Sequence, residues 1–187
     1  MHPHRGFETI TIVYQGEVSH KDNAGHAGTI GPGDVQWMTA ARGILHEEMH
    51  SSNFTRTGGT LEMVQLWLNL PAKDKMGEPR YQSILDRDIP EISLPDGAGT
   101  LRLIAGNYHG QKGAARTFTA VNLWDMRLRA SKNIDLIIDT GHTASLLVLS
   151  GAIIINETDS VQPGELVQFS KDGDQLSLQT KEDSVVL

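Results

Sequence analysis

Two stretches of the sequence, residues 12–40 and 147–171, follow the same plan. In each stretch an apolar run ends at a glycine, Gly16 or Gly151, a short run follows, and a Pro-Gly-acid turn begins another run. Glycine and Pro-Gly pairs are typical of the turns between strands. The two copies lie about 130 residues apart, far beyond the period of a solenoid. The chain is therefore expected to contain two related β-barrel units.

The rest of the sequence is also typical of β-strands. Short runs of Val, Ile, Thr and Leu alternate with turn signals, which include many of the 19 glycines and 7 prolines. No segment of helical length repeats its apolar residues at a period of 3.6. We therefore predict an all-β fold. The expected strand-rich segments are 7–18, broken at Gly16, then 29–40, 60–70, 114–130 and 133–156, with a polar connection at 71–84.

Composition excludes several classes of protein. The 187 residues include no cysteine, so disulfides and thiolate metal sites are excluded, and the chain suits a reducing compartment. The net charge of −7 is spread along the chain, which argues against a nucleic-acid partner. No apolar run reaches the length of a membrane helix, and no signal peptide precedes the first strand. We expect a cytoplasmic protein with no membrane or direct nucleic-acid partner.

Six of the eight histidines fall within the first 50 residues, and two of them form the motif His2-Pro3-His4. On a strand, side chains at positions i and i+2 point to the same face, about 7 Å apart. Two imidazoles so placed can reach one metal ion. The alternative is an exposed pair of histidines in a terminal tail.

The second histidine motif, "LHEEMH" at 45–50, has two interpretations. As a helix it matches the zinc-peptidase pattern, with His46 and His50 as ligands and Glu47 as general base. That helix would have to span 41–52 although Gly43 lies inside it, and no third ligand is evident. As a strand it presents His46 and Glu48 on one side.

Taken together as strands, the two motifs offer three imidazoles and one carboxylate: His2, His4, His46 and Glu48. Such a set suits Fe, Mn, Co, Ni, Cu or Zn and leaves coordination positions free for water, O2 or a chelating substrate. The alternative is a surface pair between His46 and Glu48. Because the second copy carries Ile137 and Asp139 at the offsets of His2 and His4, the site is expected in one barrel only.

Three blocks of sequence resemble one known family. "HPHRGFETITIVYQGEV", "GPGDVQWMTAARGILHEEMH" and "QLWLNLPAKDKMGEPRYQ" occur in order and are similar to the pirin family of the cupin superfamily. The resemblance runs from residue 2 to about 85; it is looser over 86–130, and 147–171 resembles the family's second barrel. It implies an all-β fold of two tandem cupin (double-stranded β-helix, or jelly-roll) barrels: 1–85 with the metal site, and 86–187 degenerate.

The resemblance also implies a ligand set and a reaction. The family's single non-haem metal, usually iron, would be held by His2, His4, His46 and Glu48. Glu8 would be structural or support the ligands. His50 lies outside the family's pattern and is expected to be exposed, as are His20 and His26 because they lie in a turn-forming region. Several members resemble quercetin 2,3-dioxygenases, which open a flavonol with O2; here Glu48 would be the catalytic base. The alternatives are a metal-binding regulator of a transcription factor or metabolic enzyme, and a metal-dependent isomerase.

Two further expectations concern the surroundings of the site. Barrel-facing apolar residues are expected to line a substrate pocket, and the candidates are Phe7, Ile10, Ile12, Trp37 and Met38. Members of the family carry strands before the His-x-His block and a tail after the second barrel, so by resemblance this chain is short at both ends and its first barrel lacks strands. The sequence therefore predicts weaker metal binding than in longer members and permits a strand-exchanged homodimer.

Overall fold

A computed structural model describes residues 1–187, and the predicted all-β fold is confirmed. Regular structure consists of twenty strands, one short α-helix and three 3₁₀ turns. No helix has both the length and the apolar character needed to cross a membrane. The chain forms two compact units: residues 1–89 with 114–121, and residues 90–113 with 122–187.

The first unit contains two four-stranded antiparallel sheets, ordered β1-β6-β3-β4 and β7-β2-β5-β8. The predicted break at Gly16 separates β2 from β3, and this glycine has a φ of 84°. The elements of this unit are β1 (His2–His4), β2 (Phe7–Gln15), β3 (Val18–Asp22), β4 (Ala27–Ile30), β5 (Val35–Thr39), β6 (Ile44–His50), α1 (Ser52–Thr57), β7 (Glu62–Asn69) and β8 (Arg80–Ile84), with 3₁₀ turns at Ala72–Asp74 and Asp86–Asp88.

Helix α1 follows β6, is only six residues long and is capped at both ends. The Ser51 side chain accepts a hydrogen bond from the Phe54 amide at its start, and Gly58 ends it with a φ of 70°. A helix this short depends on its caps, because four amides at its start have no partner within it. The helix predicted by the peptidase interpretation, over 41–52, is wrong, since residues 44–50 form a strand.

The second unit contains a six-stranded sheet, β18-β15-β20-β13-β10-β9, a four-stranded sheet, β14-β19-β16-β17, and the hairpin β11-β12. A continuous apolar core runs between Leu94 and Val186, with Leu103, Val148 and Leu178 fully buried. The strands are β9 (Glu91–Ser93), β10 (Gly99–Ala105), β11 (Asn107–Tyr108), β12 (Gln111–Lys112), β13 (Leu123–Leu128), β14 (Asn133–Ile137), β15 (Ser145–Ser150), β16 (Ile153–Ile155), β17 (Asp159–Val161), β18 (Leu166–Gln168), β19 (Gln175–Thr180) and β20 (Ser184–Val186), with a 3₁₀ turn at Pro95–Gly97.

The repeated Pro-Gly-acid turn has the same hydrogen bonds in both units. The Gly33 amide donates to the Val13 carbonyl at 2.8 Å, and the Gly164 amide donates to the Val148 carbonyl at 2.8 Å. In each turn the acidic side chain accepts from a backbone amide three residues earlier. Because these turns match bond for bond, the repeat seen in the sequence is a structural repeat as well.

Candidate metal centre

Antiparallel pairing of β1 with β6 brings the two histidine motifs together. His2 is the register partner of His46, and His4 lies two residues further on, on the same face of β1. Nitrogen atoms of His2, His4 and His46 all lie within 4.8 Å of one another. The Nε2 atoms of His2 and His46 are 2.9 Å apart. The strand interpretation of both motifs therefore agrees with the observed geometry.

The three imidazoles differ in burial. His46 is fully buried and His4 is 7% exposed, whereas His2 lies at the exposed end of the cluster. The Nε2 atom of His4 and the Nδ1 atom of His46 are buried without a hydrogen-bond partner in the protein. A buried nitrogen of this kind costs about 1–3 kcal/mol when nothing satisfies it. The cluster thus contains buried nitrogen atoms whose cost an additional bound group would remove.

Glu48 lies beside the cluster rather than within it. Its Oε2 atom is 3.9 Å from His46 Nε2, as expected for positions i and i+2 on β6. Both carboxylate oxygens accept a hydrogen bond from Gln65 Nε2 at 3.1 Å, and Oε1 is also 3.4 Å from Thr11 Oγ1. The structure therefore brings three of the four predicted ligands into one group, with the fourth next to His46.

The donor set fits a divalent transition metal. Two nitrogen ligands about 2.1 Å from one ion and at a right angle to each other lie about 3.0 Å apart. The separation between His2 Nε2 and His46 Nε2 matches this value, and it also suits a hydrogen bond between two neutral imidazoles. An ion among the three nitrogens would satisfy the orphaned Nε2 of His4.

Burial favours the neutral form of two of the clustered imidazoles, those of His4 and His46. It lowers the pKa of His46 from 6.5 to about 4, although the carboxylate of Glu48 opposes the shift. Burial, followed by the neighbouring His2, also lowers the pKa of His4. A neutral imidazole is the form that binds metal. At pH 7, therefore, neither His4 nor His46 has to lose a proton before it can bind an ion.

One of the other histidines departs from expectation. His20 is buried, not exposed, because it lies on the inward face of β3 opposite Glu48 and its ring stacks on Tyr81, with ring centroids 5.2 Å apart. Burial lowers the pKa of His20. His26 is 59% exposed and contacts Asp22 at 2.8 Å, and His50 is exposed at the end of β6, as predicted.

The predicted pocket residues divide between the two faces of one sheet. Thr11 contacts Glu48, so odd-numbered positions of β2 face the site; Phe7 is one of them, and its ring lies 5.1 Å from that of His4. Met38 pairs with Thr9 and shares that face. The expectation is wrong for the remaining three, which alternate to the opposite, buried face: Ile10, Ile12 and Trp37.

Glu8 also lies on that opposite face. It is buried, and its Oε1 atom accepts a hydrogen bond from Thr39 Oγ1 at 2.7 Å.

Four residues near the cluster were not predicted from the sequence: Thr11, Gln65, Trp67 and Tyr81. Their only sequence signal is the alternation of β2, β7 and β8, and it becomes informative once the pairing of those strands is known.

Comparison with known proteins identifies the family. Family models match both ends of the chain: the Pirin model over residues 1–68 and the Pirin C-terminal cupin domain over residues 123–187. These matches cover the strands that carry the cluster and most of the second unit. The chain has a bicupin fold, and it belongs to the pirin family.

Individual relatives agree with this assignment. A Pseudomonas aeruginosa protein named "Putative quercetin 2,3-dioxygenase PA2418" is 53% identical over 186 residues, which is all of this chain and 65% of the relative. The crystal structure of a quercetin 2,3-dioxygenase from Acinetobacter baumannii has 49% identity and a TM-score of 0.95, over 99% of this chain and 64% of that one. The chain thus spans slightly under two thirds of their length.

A more distant neighbour shares the fold alone. A bacterial pirin from Escherichia coli, solved in complex with nickel(II), has 21% identity and a TM-score of 0.75, covering 99% of this chain and 72% of that one. At this identity the likeness establishes that both chains have the same architecture.

Proposed function

We propose that this chain is a metal-dependent dioxygenase of the quercetin 2,3-dioxygenase type. One divalent non-haem ion, with iron as the preferred metal, would be held by His2, His4, His46 and Glu48. The observation that carries the proposal is the group of three imidazoles whose nitrogens lie within 4.8 Å of one another, with an orphaned nitrogen on His4. The Acinetobacter baumannii protein named as a quercetin 2,3-dioxygenase supports the choice of substrate class and of O2 as co-substrate.

When bound, the metal would supply a Lewis acid that lowers the pKa of a flavonol hydroxyl and gives O2 access to its electrons. The protein would supply the remaining functions. Neutral His4 and His46 offer lone pairs at pH 7. The carboxylate of Glu48 would take the hydroxyl proton on one of its oxygens, as a general base must lie within hydrogen-bond reach of that proton.

Aromatic side chains stand around the cluster on the same side of the sheet. Phe7 and Trp67 have ring centroids 5.1 and 5.7 Å from that of His4. Flat apolar walls with a few polar groups are typical of sites for aromatic ligands. These rings support an aromatic substrate over a peptide or a small polar one.

The test is turnover of quercetin by iron-loaded protein, followed as O2 uptake and carbon monoxide release. His46→Ala should abolish both, and His50→Ala is the matched control because His50 lies on the same strand but outside the cluster. Turnover that survives His46→Ala would contradict the proposal. Tight metal binding without turnover would overturn the flavonol substrate and favour the metal-binding regulator.

A further inference from the structure

Gln65 makes a bifurcated hydrogen bond to the Glu48 carboxylate. Its Nε2 atom is 3.1 Å from Oε1 and 3.1 Å from Oε2 of Glu48, and 3.1 Å from Thr11 Oγ1. Thr11 and Gln65 are register partners on β2 and β7, so the sheet itself fixes the distance between them. A carboxylate held at both oxygens has lost the rotation that a free glutamate keeps.

Trp67 contacts the amide oxygen of Gln65. The indole Nε1 atom donates a hydrogen bond to Gln65 Oε1 at 3.3 Å, as positions i and i+2 on β7 permit. With its oxygen engaged, the amide turns its NH2 group, which is a donor, to the two carboxylate oxygens of Glu48. The Trp67 side chain is 67% exposed, yet its indole ring contacts both Phe7 and His4, with centroid distances of 4.8 and 5.7 Å.

We propose that Gln65 is a positioning residue that holds the Glu48 carboxylate against the three-histidine cluster, with Trp67 orienting the Gln65 amide. This inference rests on the proposed role of Glu48 as a metal ligand. Groups that hydrogen-bond to a metal ligand fix its orientation, and their removal typically weakens metal binding by 10–100-fold. Neither Gln65 nor Trp67 contacts the ion itself in this scheme: Gln65 acts through Glu48, and the indole N–H of Trp67 acts through Gln65.

The experiment is a metal titration of purified, metal-free protein with Co²⁺ and Ni²⁺ by calorimetry. It is accompanied by the visible absorption spectrum of the Co²⁺ form, which reports ligand geometry. Gln65→Met keeps the length of the side chain and removes both donors. It should weaken binding by about 10–100-fold and change the Co²⁺ spectrum. Trp67→Phe keeps an aromatic ring but removes the N–H donor, and it should shift both readouts in the same direction by less.

A matched control lies at the far end of the same pair of strands. Gln15 Nε2 donates to Glu62 Oε2 at 2.7 Å, so Gln15→Met removes the same kind of contact away from the cluster. It should leave affinity and spectrum as in the wild type. Because Trp67 is largely exposed, Trp67→Phe is expected to fold, which keeps the proposal testable if Gln65→Met does not.

A double-mutant cycle separates the outcomes. If Gln65 acts through Glu48, Gln65→Met should cost nothing further in a Glu48→Ala background. An equal loss in both backgrounds, or wild-type affinity and spectrum in Gln65→Met, would overturn the positioning role. A wild type that binds neither ion, or Glu48→Ala that binds as tightly as wild type, would instead overturn the proposed ligand set.

Discussion

The Nε2 atoms of His2 and His46 lie 2.9 Å apart, although the two residues are 44 positions apart in the sequence. A three-residue strand, β1, is enough to make this contact because it pairs in register with the start of β6. The same pairing brings His4 to the cluster. The candidate centre is therefore a product of one short antiparallel ladder.

The first prediction concerns the number of imidazole ligands. X-ray absorption of the Ni²⁺-loaded protein should show three imidazoles around the ion, and His2→Ala should show two, because the cluster offers one nitrogen from each ring. His26→Ala removes an exposed histidine outside the cluster and should leave the count at three. The same imidazole count in wild type and His2→Ala would exclude His2 as a ligand.

The second prediction concerns the pH dependence of stability in the metal-free protein. The pKa of His46 is about 4 in the fold and 6.5 without its surroundings, so between these values the unfolded chain binds a proton that the folded chain does not. The free energy of unfolding should therefore rise from pH 4 to pH 6.5, by roughly 3 kcal/mol from His46 alone. Burial of His4 and His20 acts in the same direction.

Urea unfolding at a series of pH values measures this slope. His46→Asn should flatten it, because the variant has no imidazole at the buried position. A free energy of unfolding that stays constant between pH 4 and 6.5 would contradict the lowered pKa of His46. A slope that His46→Asn leaves unaltered would contradict it too.

The third prediction concerns Gly151, which ends the apolar run of the second repeat. Its φ is 77°, and an added Cβ would clash with the Asp183 carbonyl oxygen and lie 2.7 Å from Ser184 Cα. Gly164, with a φ of 84°, has nothing within 4 Å. A left-handed alanine costs about 1–2 kcal/mol, so Gly164→Ala should lose that much and Gly151→Ala clearly more, as measured by urea unfolding. Equal losses would show that crowding at Gly151 is unimportant.

The fourth prediction concerns the buried charge of the second unit. Asp125 is fully buried on β13, opposite Arg102 on β10, and its Oδ2 atom is 2.5 Å from Arg102 Nη1 and 3.0 Å from Arg127 Nη1. Asp125→Ala should destabilise the chain by about 3–5 kcal/mol, since it leaves a buried guanidinium without this carboxylate. Arg127→Ala should cost under about 1 kcal/mol, because Arg127 is 42% exposed. Chemical denaturation distinguishes the two, and similar losses would contradict the ranking.

Local periodicity was sufficient to predict much of the centre. Because a strand places positions i and i+2 on one face, the pairs His2–His4 and His46–Glu48 could be identified without knowing their partners. The repeated glycine and Pro-Gly-acid turns likewise predicted two related units, and the matching turn hydrogen bonds follow from those residues.

What could not be predicted depends on pairing between distant strands. His20 is buried because β3 pairs with β6, and a turn-rich local sequence gives no sign of that. Trp37 lies on the face away from the cluster, and alternation alone identifies two faces without indicating which one faces the cluster. Gln65 reaches Glu48 only through the register of β7 with β2, in which it opposes Thr11, 54 positions away.

Strand β1 is three residues long, pairs on one side only, with β6, and carries two of the three clustered imidazoles. An ion shared by β1 and β6 would therefore cross-link the two strands. Binding of the ion and pairing of β1 with β6 would then be linked equilibria. Amide exchange within β1, or proteolytic cutting next to it, should slow as free metal rises. The lifetime of this edge strand would then report how much metal is available around the protein.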